Sequence, residues 1–199
     1  MSTVSGLRWT TSGTGTFNID NTINPTYTPS ALDVQNSPIT LTLTASPIAP
    51  CATPLVTTTT VTLVKSPIVN VVTPQAAICE DATNILVAGT TVANVASYNW
   101  TSTTGTTISN ANSLTPLVTP SATDITNGYI DVTITAIPNA PCSTSVLKTV
   151  RIPIQKKPIL SAGASQTICE GSVITTSDAI ATQVTNLKWT KNGGDGSCR

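Results

Sequence analysis

A repeat of about ninety residues is the feature of this sequence that most restricts how the chain can fold. The stretch SPITLTLTASPIAPC, which ends at Cys51, returns as GYIDVTITAIPNAPC, which ends at Cys142, at an offset of ninety-one residues. AICED around Cys79 likewise returns as TICEG around Cys169. A fixed period of this length is typical of tandem arrays in which each period is one structural unit.

The repeat also divides the chain. Three tryptophans, each followed by threonine, occur at the same spacing: Trp9, Trp100 and Trp189. We expect residues 1–66 to be the C-terminal part of one repeat, residues 67–157 a complete repeat, and residues 158–199 the N-terminal part of a further repeat. We call these the first, complete and third copies. No secretion signal precedes the first copy, so we expect the chain to be a piece of a longer protein with its signal and anchor elsewhere.

Composition and periodicity together predict an all-β fold. Threonine makes up about one residue in five, and fourteen prolines break the chain into short pieces. β-branched residues suit a half-buried sheet, whereas frequent prolines disfavour long helices. Apolar and polar residues alternate along 39–45 and again along 130–136, which indicates strands with one buried face. We predict strands near 39–45, 56–64, 130–136 and 146–154, with essentially no α-helix.

Several spaced motifs carry a resemblance to a known family. WTTSGTGTF begins at Trp9 and YTPSALD begins at Tyr27, while ICED precedes Trp100 and ICEG precedes Trp189. The sequence thereby resembles the PKD-like, immunoglobulin-type repeats of large Bacteroidetes surface adhesins. The resemblance implies tandem immunoglobulin/PKD-like antiparallel β-sandwiches, secretion by the type IX system, an extracellular location at the outer membrane, and a part in gliding motility. One departure is that the complete copy has Val118 where the first copy has Tyr27.

Four of the five cysteines occupy repeated positions, and with no histidine and no C-x-x-C motif they do not predict a zinc site. We expect disulfide bonds formed in an oxidising compartment. The preferred pair joins Cys79 to Cys142 within the complete copy. The alternative pairs, Cys51 with Cys79 and Cys142 with Cys169, would link neighbouring repeats and remain open. Cys198 is assigned no role.

The remaining candidate residues have structural interpretations. We expect Trp9, Trp100 and Trp189 to be core anchors, like the buried tryptophan of immunoglobulin sandwiches. Asp33 and Asp124 precede strands at equivalent positions, where an acidic side chain usually caps a turn; a calcium ligand is the alternative. The tight turn predicted at residues 193–196 lacks the lysine of a phosphate-binding loop.

The composition excludes several classes of function. Without histidine and without a repeated pair of carboxylates, we expect no catalytic residues, no cofactor, no metal and no enzyme activity. A net charge of zero argues against nucleic-acid partners, and no apolar stretch is long enough to span a bilayer.

Two function classes remain. The first is a structural and adhesive module of a very long surface adhesin, whose partners are neighbouring repeats and a surface polysaccharide or abiotic surface. The second is a carbohydrate-binding or spacer module of a secreted polysaccharide-degrading enzyme. We also expect head-to-tail self-association, in which Cys51 of one chain and Cys169 of the next take the places that Cys142 and Cys79 hold in the complete copy.

Overall fold

The computed structural model describes residues 4–190, which are built almost entirely of β-strands. Two short helices lie at equivalent positions of the first and complete copies: α1 (Ala31–Gln35) and α2 (Ala122–Asn127). The strands of the first copy are β1 (Val4–Thr11), β2 (Thr16–Phe17), β3 (Tyr27–Thr28), β4 (Ile39–Pro47) and β5 (Leu55–Val61).

The complete copy has nine strands within the described residues, and the third copy has two. Those of the complete copy are β6 (Ile68–Asn70), β7 (Ile78–Cys79), β8 (Ile85–Leu86), β9 (Thr91–Ala93), β10 (Val95–Thr101), β11 (Thr107–Ser109), β12 (Leu117–Thr119), β13 (Tyr129–Pro138) and β14 (Val146–Gln155). Those of the third copy are β15 (Ile159–Ser161) and β16 (Ile180–Thr182).

The strands assemble into small sheets in a recurring order. In the first copy, β1, β4 and β5 form an antiparallel sheet in that order, and β2 pairs with β3. In the complete copy, one sheet has the order β10-β13-β14-β7 and another the order β11-β12-β8, while β6 pairs with β9. In the third copy, β15 pairs with β16. The pairing of β14 with β7 is parallel. The predicted fold class is confirmed: the chain is all-β and consists of tandem β-sandwiches whose strands are mostly antiparallel.

The element order recurs at the period read from the sequence. β1, β2, β3, α1, β4 and β5 correspond in turn to β10, β11, β12, α2, β13 and β14, and β6 and β9 correspond to β15 and β16. Hydrogen bonds recur as well. The Trp9 backbone N–H donates to Asp20 O at 2.7 Å, and Trp100 N–H donates to Ala111 O at 2.9 Å. The repeat is therefore structural as well as sequential.

The buried residues follow the predicted alternation. Along β13, Ile130, Val132, Ile134 and Ala136 are fully buried, and the residues between them are not. β14 contributes Val150, Ile152 and Ile154 to the buried set, and the second sheet contributes Val118. Because both sheets supply fully buried side chains, the core of the complete copy lies between them.

The predicted strand bounds agree with the structure to within two residues, except at one end. β5 stops at Val61, whereas its prediction ran to residue 64. Leu63 donates its backbone N–H to the Ser37 hydroxyl at 2.7 Å, while its equivalent, Ile154, donates to the backbone carbonyl of Gly128 at 2.8 Å.

The two short helices lie where the sequence analysis expected turns before β4 and β13. In the described part of the chain, neither helix is long or apolar enough to cross a membrane.

The chain divides into two compact units. One runs to Ile68 and also includes residues 92–97 and 136–146. The other consists of residues 69–91, residues 98–135 and the chain from Leu147 onwards. Each contains one helix and one buried carboxylate, which are described below.

Candidate functional site

A buried aspartate caps α1 in the first copy. Asp33 is 1% exposed, and its side chain forms a capping box with Ser30. It accepts hydrogen bonds from the backbone N–H groups of Thr14 at 2.6 Å, Gly15 at 3.0 Å and Ser30 at 3.0 Å, and from the Tyr27 hydroxyl at 2.7 Å. We call this arrangement the carboxylate cage of the first copy. It joins the loop after β1, strand β3 and the start of α1.

Hydrogen bonding keeps this carboxylate ionised. The Tyr27 hydroxyl is the main cause that holds the pKa of Asp33 well below its usual range; burial opposes it, and the backbone N–H groups reinforce it. Burial, followed by the hydrogen bond to Asp33, raises the pKa of Tyr27. The cage therefore contains an anionic carboxylate and a neutral phenol.

The complete copy has the same cage with different donors. Asp124 is fully buried at the start of α2, in a capping box with Ser121. It accepts from the Thr104 hydroxyl, from the Thr106 hydroxyl at 2.7 Å, and from the backbone N–H and hydroxyl of Ser121, both at 2.8 Å. Burial raises the pKa of Asp124, but these hydrogen bonds outweigh burial, and the pKa lies below its ordinary value.

The exchange of donors explains why the two copies differ in sequence. Gly13 and Gly15 stand where the complete copy has Thr104 and Thr106. A Cβ at Gly13 would collide with the Asp33 carboxylate, and one at Gly15 would collide with the backbone carbonyl of Thr28 and lie 2.6 Å from both Asp33 Oδ2 and the Tyr27 hydroxyl. The two glycines thus leave room for the carboxylate, the β3 backbone and the phenol. In the complete copy, two threonine hydroxyls replace the phenol.

The cages show Asp33 and Asp124 in the capping role expected from the sequence. Each carboxylate accepts a backbone N–H at the start of a helix. Both oxygens of each carboxylate also accept N–H or O–H donors. Among the described residues, no group of three acidic or cysteine side chains could hold a metal ion.

The predicted core anchors occupy three different environments. Trp100 is 2% exposed, and its indole N–H donates to Ser113 O at 3.0 Å. Trp9 makes the equivalent bond to Thr22 O at 3.0 Å but is only half-buried. Trp189 is 50% exposed, so its role as a core anchor stays a prediction.

An open groove of about 640 Å³ lies beside Trp9 in the first copy. Phe17 forms its aromatic floor, with its ring centroid 6.0 Å from that of Trp9 and 4.9 Å from that of Tyr27. The other residues that line the groove are mostly polar: Thr10, Thr11, Thr16, Asn18, Ile19, Asp20 and Asn21. Aromatic rings beside amides and a carboxylate are the chemistry with which proteins hold sugars.

Threonines cover one face of the sheet β1-β4-β5. Pairing across the three strands aligns Thr10, Thr42 and Thr58 in one row. Thr40 pairs with Thr60 in the next row, on the face opposite the buried Ile39 and Leu41. The row recurs in the complete copy as Thr101, Thr133 and Thr149, where the Thr133 and Thr149 hydroxyls lie 2.9 Å apart. We call this surface the threonine face.

In the complete copy a charged pair interrupts the threonine face. Arg151 donates to both oxygens of Asp131, at 2.9 Å and 2.6 Å, and its guanidinium lies 3.9 Å from the centre of the Tyr129 ring. The first copy has Thr60 and Thr40 at the positions of Arg151 and Asp131.

A side chain at one repeated position lies at or next to each linker between copies, the linkers being residues 65–67 and residues 156–158. Asn94 donates its amide to Ser66 O at 3.1 Å, and its equivalent Gln183 accepts from the Gln155 amide at 2.9 Å. Both residues have positive φ, at 59° and 58°. The Cys142 thiol also lies 3.8 Å from Val64 O, just before the first linker.

The structure disagrees with the preferred disulfide. All four cysteines of the described residues are free thiols. Cys142 precedes Val146, where β14 begins, and Cys79 pairs with Gln155, where β14 ends. Ten strand residues span roughly 30 Å, whereas a disulfide needs Cα atoms within about 7 Å. Cys79 and Cys142 therefore cannot be cross-linked within this fold. The predicted turn at residues 193–196 and Cys198 lie outside the described residues.

Fold and site together define a tandem β-sandwich repeat protein in which a caged carboxylate ties each of the first two copies together. No family model matches the chain, and no curated protein matches it. Among solved structures it is similar to a protocadherin gammaB7 EC3-6 cis-dimer structure, with 16% identity, a TM-score of 0.41, and coverage of 88% of this chain and 51% of that one. It is also similar to Drosophila N-cadherin EC1-4, with 18% identity, a TM-score of 0.44, and coverage of 74% and 41%. Similarity of this degree says nothing about what the chain binds.

Proposed function

We propose that the chain is a structural and adhesive repeat module of an extracellular surface protein, without enzyme activity. The observation that carries the proposal is the threonine face, which recurs at the same register in the first and complete copies. The repeat supports the same conclusion, since the copies share an element order, a carboxylate cage and a linker contact. Neighbouring repeats of the same polypeptide are then its first partners.

The chemistry of the threonine face suits a hydroxyl-rich or weakly polar surface. Each threonine offers a hydroxyl that both donates and accepts, beside a methyl group that packs on apolar carbon. A chain with zero net charge gains little from electrostatic attraction, so adhesion depends on the number of such contacts. An array multiplies weak contacts through effective concentration. A surface polysaccharide or an abiotic surface is the partner that this chemistry fits.

The sequence motifs support a finer proposal. WTTSGTGTF, YTPSALD and the ICED and ICEG segments resemble repeats of very long Bacteroidetes adhesins, among them the gliding-motility adhesin SprB. We propose the same setting for this chain: secretion by the type IX system, display at the outer membrane, and attachment during gliding. Residues 67–157 remain our proposal for one complete repeat.

Changing the threonine face without changing the sheet tests the adhesive role. Thr42→Lys and Thr133→Lys place a charged, longer side chain at the centre of each row. We expect the mass of protein adsorbed on a polysaccharide film, measured with a quartz crystal microbalance, to fall about tenfold. That fall corresponds to roughly 1.4 kcal/mol of lost affinity.

The matched control is Thr57→Lys, which lies on the same sheet but on the opposite face and is exposed. It should adsorb like the unchanged protein. Equal adsorption of the control and the double variant would contradict the adhesive role of the threonine face.

The groove beside Trp9 favours a second candidate function, carbohydrate binding as an accessory module of a polysaccharide-degrading enzyme. Its aromatic floor and amide rim are present in the first copy, whereas the equivalent Trp100 is buried. Glycan-array binding that Trp9→Ala abolishes while the far-ultraviolet circular dichroism is unchanged would favour this candidate. Binding that survives Trp9→Ala would exclude the groove.

A further inference from the structure

The residue between β9 and β10 contacts the first linker, residues 65–67. It is Asn94, the single residue that separates the end of β9 from the start of β10. β6 begins directly after the linker and pairs with β9, so the linker enters the complete copy beside this junction. The Asn94 side-chain amide donates to the Ser66 backbone carbonyl at 3.1 Å. The linker backbone is therefore hydrogen-bonded to the copy that follows it.

The same position makes an equivalent contact in the third copy. Gln183 follows β16 as Asn94 follows β9, and β16 pairs with β15, which begins just after the second linker. The Gln183 side-chain oxygen accepts a hydrogen bond from the Gln155 amide at 2.9 Å. Gln155 directly precedes the second linker, residues 156–158. Two different amide side chains thus make the same kind of contact at one repeated position.

The backbone conformation marks this position as constrained. Asn94 has a φ of 59° and Gln183 a φ of 58°, in the left-handed region that residues other than glycine adopt uncommonly. Glycine would adopt this conformation freely, yet both copies have an amide side chain here. Residues in such conformations persist where the surrounding structure fixes them, and they are concentrated at positions with a role. Contact with the chain at a linker is what the two side chains share.

The first linker also lies beside the helix of the first copy. Ala31 and Val34 of α1 line an open hollow of about 430 Å³ that Lys65 and Asn94 also line. Residues 92–97 belong to the same compact unit as α1 and this linker. Because the hollow is open and Lys65 is exposed, a protease can reach the linker whenever the linker backbone is released.

We propose that the side chain at this repeated position holds the linker that leads into its copy and thereby protects that linker from proteolysis. While Asn94 donates to the Ser66 carbonyl, the peptide group that joins Ser66 to Pro67 cannot turn. A protease needs a locally opened, extended backbone, so a linker held in this way is cleaved only when the contact breaks. This proposal does not depend on the adhesive role of the threonine face.

Limited trypsin digestion of the full chain tests the proposal. Each linker has a lysine that is not followed by proline: Lys65 in the first and Lys156 in the second. Asn94→Asp keeps the size of the side chain and tolerates the left-handed conformation, but its carboxylate repels the Ser66 carbonyl. We expect the initial rate of cleavage after Lys65, measured by mass spectrometry of the fragments, to rise about tenfold. Cleavage after Lys156 in the same digest should be unchanged.

Asn84→Asp is the matched control, since Asn84 is exposed in the same copy and has a φ of 51°. It introduces the same charge at a left-handed residue whose backbone N–H donates to the Thr119 hydroxyl, and it should leave both cleavage rates unchanged. Asn94→Gly keeps the backbone conformation without the side chain and should also raise cleavage after Lys65.

Three results would overturn the proposal. One is an unchanged rate of cleavage after Lys65 in Asn94→Gly. Another is a rise in Asn84→Asp that equals the rise in Asn94→Asp. The third is equal acceleration at Lys65 and Lys156 in Asn94→Asp, because that pattern indicates general unfolding in place of a released linker.

Discussion

The carboxylate cage of the complete copy allows a quantitative test of what stabilises each sandwich. Asp124→Ala removes the acceptor from a buried site while leaving its donors in place. The hydroxyls of Thr104 and Thr106 can turn to other acceptors, because they lie 3.2 Å from each other and the Thr106 hydroxyl lies 2.9 Å from that of Ser102. The Ser121 backbone N–H, which donates to Asp124 at 2.8 Å, cannot turn.

The expected cost follows from these contacts. A buried N–H left without an acceptor costs about 1–3 kcal/mol. Loss of the helix cap adds roughly 1 kcal/mol. We therefore expect the free energy of unfolding of the complete copy to fall by about 2–4 kcal/mol in the Asp124→Ala variant.

Urea unfolding followed by tryptophan fluorescence measures this change. Trp100 is buried in the complete copy, so a background with Trp9→Phe and Trp189→Phe makes it the only reporter. With a urea dependence of about 2 kcal/mol per molar, the midpoint should move down by roughly 1–2 M.

Asp131→Ala is the matched control, because it removes an aspartate from the same copy at a partly exposed ion pair with Arg151. An exposed pair contributes less than about 1 kcal/mol, so its midpoint should move by at most roughly 0.5 M. Equal shifts for Asp124→Ala and Asp131→Ala would refute the argument that the caged carboxylate stabilises the sandwich through its buried donors.

Three further predictions concern the cages and the helices. First, both caged carboxylates have lowered pKa values in the folded chain. Their stabilisation of the fold is therefore complete above the unfolded pKa of about 3.9 and is lost as the pH falls below that value. Urea midpoints measured from pH 7 to pH 2 should fall only below about pH 4, and a pH-independent midpoint would contradict this. Second, Tyr27→Val removes the phenol that donates to Asp33 and should lower the urea midpoint of the first copy; an unchanged midpoint would argue against a stabilising role for this hydrogen bond. Third, Gly128 ends α2 with φ at +79° and has free space around it. Gly128→Ala should therefore lower the free energy of unfolding by about 1 kcal/mol, from backbone strain alone. An unchanged melting temperature would show that α2 can end without a residue in the left-handed conformation.

The strands could be predicted because they leave a local signal in the sequence. The alternation of apolar residues along β13 has the period of a strand, and its recurrence in β4 fixed the register of both copies. The helices α1 and α2 also had a signal. Ser30 and Asp33, like Ser121 and Asp124, have the spacing of a capping box, which is typical of a helix start. The sequence analysis recognised the aspartate as a cap and expected a turn in place of the short helix.

The hydrogen-bond donors of the cages and the positions of the cysteines in the fold leave weaker signals in the sequence. The sequence shows that the first copy has Tyr27 where the complete copy has Val118. Only the structure shows that Gly13 and Gly15 belong to the same exchange, because they lie against the carboxylate that Tyr27 contacts. Cys79 and Cys142 are separated along β14 by the length of the strand, and sequence spacing does not report which end of a strand a residue reaches. Long-range pairing of this kind depends on sheet order.

The cages and the cysteines have complementary roles in this array. In each of the first two copies, a caged carboxylate ties the loop after the first long strand to the short helix. This cross-link within the sandwich consists of hydrogen bonds and needs no cysteine. Cys79 and Cys142 lie at opposite ends of β14, and these positions suit bonds to another sandwich. The Cys142 thiol lies 3.8 Å from the backbone carbonyl of Val64 in the preceding copy. On this reasoning, replacing Cys142 with Ala should leave the urea midpoint of the complete copy unchanged under oxidising conditions, and a lowered midpoint would show that a bond formed by Cys142 stabilises that sandwich.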